Sequence, residues 1–73
     1  MPKKPIVRFV RIPAVHNDAA DTFQCNRGTN DFWIGTLVKY TYPVKGYVFE
    51  PKLSWYPVEE LAEIARYLKA LNK

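Results

Sequence analysis

At 73 residues the chain has room for one domain with a thin core, and 48% apolar residues with 15% aromatics exclude an intrinsically disordered chain. Cys25 is the only cysteine, which excludes an intramolecular disulfide and points to a reducing compartment, with the cytosol as the default. The formal charge of +4 is unevenly spread: residues 1–12 hold Lys3, Lys4, Arg8 and Arg11 and no acid, so an acidic surface or a phosphate backbone is drawn to that end.

The chain begins with a basic lead over residues 1–5, expected to be flexible. The apolar run after it is broken by Arg8 and Arg11, unlike the continuous apolar segment of a signal peptide, and nothing approaches the roughly 20 apolar residues that cross a bilayer. Ile6 to Ile12 is rich in β-branched and aromatic residues and closed by Pro13, which predicts a first strand. Period-2 alternation puts Ile6, Arg8, Val10 and Ile12 on one face and Val7, Phe9 and Arg11 on the other, so both faces are partly apolar. Such a strand either carries a bulge or meets a partner on one side.

Residues 13–21 are polar or small and read as a loop, with at most one helical turn capped by Asn17. Thr22 to Cys25 is a short strand, and the following turn contains Gly28, placed to supply any positive φ the turn requires. Phe32 to Tyr42 is the second long strand, with Phe32, Ile34, Val38, Tyr40 and Tyr42 in one register and Trp33 and Leu37 in the other. Gly35 within it marks close packing or a bulge. Residues 43–46 connect to a return strand, Tyr47 to Glu50, ended by Pro51.

Pro57 opens a helix over residues 57–72, with Val58, Leu61, Ile64, Ala65, Leu68 and Leu71 recurring at helical spacing. Glu59, Glu60 and Glu63 lie near its start and Arg66, Lys69 and Lys73 toward its end, complementing the helix dipole. The expected fold is therefore α+β: an antiparallel sheet of three to four strands covered by one C-terminal amphipathic helix, a single domain over residues 1–73.

Catalytic chemistry finds little support in the residue pattern. His16 and Cys25 lack an orienting group and oxyanion donors, so a loop histidine and a small half-buried thiol account for them better. His16, Asp18, Asp21 and Asp31 match no zinc or calcium spacing and are better explained as caps and turn formers. Gly28, Gly35 and Gly46 are isolated, which excludes a phosphate-cradling loop. The three glutamates of the helix start read as a solvated polar face rather than an acid–base cluster. The expectation is a binding protein with no enzymatic activity, cofactor or metal, with a monomer favoured.

Two binding readings differ in what the basic and aromatic residues do. In the first, a protein partner is held by the N-terminal segment and first strand, through Lys3, Lys4, Ile6, Val7, Arg8, Phe9 and Arg11. An ordinary core or edge strand, whose arginines discourage edge pairing, is the plain counter-explanation. In the second, Trp33, Tyr40, Tyr42 and Tyr47 stack on bases while Arg27, Lys39, Lys45 and the N-terminal cations neutralise phosphates. Against it, most of those rings are needed to fill a small core.

Phe32-Trp33-Ile34-Gly35 opening one strand, Gly46 to Pro51 closing the next, and Glu59 to Ala65 in the helix together resemble small accessory proteins encoded by bacteriophages. The likeness covers about the last 45 residues. Size and basic N-terminus are similar to the small lytic-phage transcription regulators that bind host bacterial RNA polymerase, blocking initiation or favouring antitermination. The resemblance implies a stoichiometric inhibitor in the host cytoplasm that occupies a polymerase surface, without cofactor or turnover.

Overall fold

The computed structural model describes residues 5–14 and 20–73. Four strands, β1 (Val7–Ile12), β2 (Thr22–Arg27), β3 (Trp33–Tyr40) and β4 (Gly46–Pro51), precede one helix, α1 (Val58–Leu71). Each strand pairs antiparallel with its sequence neighbour, giving an open sheet of order β1-β2-β3-β4 with β1 and β4 at the edges. This is the α+β plan that the alternation and the helical spacing predict.

One face of the sheet is sealed by α1. Val7, Cys25, Ile34 and Leu37 point to it and are buried together with Ile64 of the helix. Around them the aromatics interlock: Phe9 stacks on Tyr67 with centroids 3.9 Å apart, Phe23 meets Tyr67 and Tyr47 edge-on, and Phe49 meets Tyr56. Ring area thus supplies a core that aliphatic side chains alone would leave thin.

The β3 register departs from simple alternation. Cys25 faces Gly35 but Asn26 faces Trp33, so Ile34 is the extra residue of a bulge. The bulge turns Ile34 inward beside Leu37 and Trp33 outward, the reverse of what counting by two predicts for this end of the strand. Gly35 is what lets the packing close, because a Cβ there would lie 2.3 Å from the Phe49 ring. Gly28 has a different role from the one expected. The positive φ in the β2–β3 turn belongs to Asp31, at 60°, while Gly28 makes room for β1, its missing Cβ lying 1.7 Å from the Pro5 carbonyl oxygen.

The helix is also rotated from its predicted stripe. Ile64 is buried and Leu68 and Leu71 pack on the core, but Val58 is 77% exposed and Leu61 45%. The inward face is completed by Glu60 and Tyr67 instead. Pro57 is the residue before the first helical turn, its carbonyl accepting from the Glu60 and Leu61 N–H groups. No helix among the described residues is long and apolar enough to cross a membrane.

Candidate functional site

Among the described residues no helix or strand packs on the second face of the sheet. By register it carries Arg8, Val10 and Ile12 of β1, Thr22, Gln24 and the buried Asn26 of β2, Trp33, Thr36, Val38 and Tyr40 of β3, and Val48 and Glu50 of β4. Val10, Ile12 and Trp33 are each about two-fifths exposed, at 39%, 42% and 43%. Along this surface β1 is an edge strand, so its outer backbone groups also lack a neighbouring strand.

Trp33 is the best-fixed ring on the open face. Its indole N–H donates to the Gly35 carbonyl at 2.8 Å, and Lys52 Nζ sits 3.6 Å from the ring centroid. The lysine therefore occupies the position a stacking base would take. Tyr40 is similarly engaged: its hydroxyl donates to the Glu50 carboxylate, which pushes the phenol up from its ordinary pKa. A carboxylate beside Tyr40 repels phosphate.

The residues assigned to a partner contact divide by strand parity. Arg8 lies on the open face, but its guanidinium pairs with Asp31 at 2.6 Å, and Arg11 pairs with Asp21 at 2.8 Å. Ile6 is exposed and lines a cleft of about 330 Å³ with Pro5, Arg27 and Pro57. Val7 and Phe9 are corrections: Val7 is 2% exposed, and Phe9 is partly buried and stacked on Tyr67, so both are engaged by the core. Lys3 and Lys4 lie outside the described residues, as do His16, Asn17 and Asp18. On β1 the apolar anchors available to a partner are Val10 and Ile12.

Glu60 is a second correction. It is 4% exposed rather than solvated, and it accepts two hydrogen bonds from Arg27, from Nε at 2.5 Å and from Nη2 at 3.0 Å. That hydrogen bond raises the Arg27 pKa, and the bidentate fork ties the start of α1 to the end of β2. No one-dimensional signal marks it, because a glutamate in a first helical turn has an adequate explanation in the dipole alone. Cys25 is fully buried, and burial pushes its thiol up to about 12, so it is an inert core residue.

The described lysines form a separate group. All four arginines pair with carboxylates, Arg27 with Glu60 and Arg66 with Glu63 in addition to the two on β1. Among the described residues no lysine does. Lys39, Lys45 and Lys73 line one cleft beside Asn72, and Lys73 shares a second hollow with Lys69 and Arg66. The positive end of the described molecule is thus the β3–β4 hairpin with the C-terminus of α1, not β1. Pairing in space offsets the two arginines of β1, while Lys3 and Lys4 lie outside the described residues.

No family model matches the chain, and neither a curated protein nor a solved structure is similar to it.

Proposed function

We propose that the protein is a non-catalytic binding protein that docks a protein partner on the open face of the sheet along β1. The observation that carries this reading is the asymmetry of the sheet: α1 covers one face, while the other leaves Val10, Ile12 and Trp33 exposed among polar neighbours. Apolar anchors set in a polar surround are the composition of a protein interface. Local charge favours the same partner class, since Arg8 is offset by Asp31 and Glu50 lies on the face itself, so no net field selects for phosphate.

The specific partner in this proposal is bacterial RNA polymerase, as the likeness to phage transcription regulators implies, with the chain acting as a stoichiometric inhibitor of initiation or as an antitermination factor. The protein mixed with polymerase is expected to co-elute on a sizing column at moderate salt. Val10→Asp combined with Ile12→Asp should abolish co-elution while leaving the circular dichroism spectrum unchanged, because neither side chain is in the core. Failure of the native protein to co-elute with any polymerase subunit overturns the polymerase reading.

A further inference from the structure

The lysines at the hairpin end are unexplained by a partner on the open face. We propose that this end is a second binding surface, which takes single-stranded nucleic acid, with Lys39, Lys45, Lys69 and Lys73 on the phosphates and Tyr42 stacking on a base.

Charge selection is the first support. The chain commits all its arginines to its own carboxylates, the partners that suit a bidentate guanidinium. What remains at the hairpin end is a set of ammonium groups with no acidic side chain among the residues lining either hollow. Like charges gathered this way repel one another and hold counterions. A phosphate chain bound there releases the cations condensed along it, and the gain is largest where no internal carboxylate has to be displaced. The helix dipole explains part of the set, since it favours cations in the last turn, where Lys69 lies. It does not explain Lys39 and Lys45, which belong to the hairpin.

Preorganisation is the second support. Lys39 comes from β3, Lys45 from the β3–β4 connection, Lys69 from the last turn of α1 and Lys73 from just beyond it, yet one side chain ties the two backbones together. The Asn72 amide clamps the backbone of Tyr47: Oδ1 accepts from the Tyr47 N–H at 2.7 Å, and Nδ2 donates to the Tyr47 carbonyl at 3.1 Å. Gly46 makes the clamp possible, because a Cβ there would meet Asn72 Oδ1 at 2.6 Å. The backbone segments that carry the cations are therefore held together before any ligand arrives.

Ring placement decides between a nucleic acid and an acidic protein. Tyr42 is 85% exposed in the connection between Lys39 and Lys45, and Val44 beside it is 57% exposed. An extended phosphate chain with unpaired bases satisfies both the ring and the cations; a run of carboxylates uses only the cations. Trp33 and Tyr40, engaged with Lys52 and Glu50, are excluded from this role.

Fluorescence anisotropy with a labelled single-stranded oligonucleotide, measured over a series of salt concentrations, tests the proposal on the full chain. With four phosphates neutralised, log K against log salt is expected to fall with a slope of about −3. Lys39→Ala with Lys45→Ala should reduce the slope by about half. Tyr42→Ala should weaken binding by about 5- to 150-fold with little change of slope. Val10→Asp with Ile12→Asp should leave binding intact, which separates this surface from the open face. Absence of salt-dependent binding overturns the proposal, as does an unchanged slope in the lysine variant. Equal displacement by polyglutamate would assign the surface to an acidic protein, and duplex DNA bound as tightly with Tyr42→Ala silent would remove the single-strand preference.

Discussion

Cys25 illustrates how much a single buried group can govern. Its thiol titrates near 9 in an accessible environment and is pushed up to about 12 in the fold, because the core disfavours the thiolate. Between those values the unfolded chain has lost the proton and the folded chain retains it. The unfolded state binds fewer protons there, so stability falls as pH rises through this window. Urea denaturation at about pH 8 and about pH 10 should show a loss of roughly 1.4 kcal/mol from this group alone. Cys25→Ala should remove that part of the slope whatever its effect on absolute stability, and an identical slope in the variant would refute the assignment. The same burial accounts for Val7, whose replacement by a charged residue would unfold the chain rather than report on a partner. Tyr56 is a residue whose work the sequence did not disclose: its hydroxyl donates to the Ile34 carbonyl at 2.5 Å and accepts from the Lys52 and Leu53 N–H groups, organising the path from β4 to α1.

At the scale of elements, the strands and the helix were legible because β-branched and aromatic runs, proline stops and helical spacing are local signals. What was not legible depends on neighbours in space. Counting by two along β3 assumes no inserted residue, so the bulge at Ile34 exchanged the faces of Ile34 and Trp33. The helix carries apolar residues over more than half its circumference, and the Arg27–Glu60 pair and the Phe9–Tyr67 stack, both long-range contacts, accompany the choice of which turn inward. The charge run of β1 similarly disappears once Asp21 and Asp31 are brought beside its arginines. A glycine inside a strand marks close packing or a bulge, and Gly35 stands beside the bulge and provides the close packing. Gly35→Ala should therefore displace the Phe49 ring and destabilise the fold by about 1–3 kcal/mol, measured as a lower urea midpoint at unchanged m-value. A neutral outcome would mean that the ring moves freely at that position.

At the scale of the whole molecule, the two proposed surfaces are spatially distinct. The open face looks away from α1, whereas Lys39 and Lys73 gather on the side where the helix ends against β4. Occupation of one therefore leaves the other accessible, and a labelled oligonucleotide bound at the lysine end should still be retained when polymerase is added, as a ternary complex of higher anisotropy. Release of the oligonucleotide by polymerase would show that the surfaces overlap or that both ligands use the lysines.

The strictly sequential strand order has a kinetic consequence as well. Every ladder joins neighbours in the chain, so the sheet can assemble from successive hairpins at little loop-closure cost. Residues 58–71 are made after the last strand, and until they dock the sheet has Phe9, Phe23 and Phe49 facing water on one side with Val10 and Ile12 on the other. A nascent chain at that stage is a sheet with one apolar face, exposed apolar anchors on the other and an unpaired edge at each end, a form open to association with other chains. Docking of α1 is thus the step that converts an aggregation-prone intermediate into a molecule with one face left for binding.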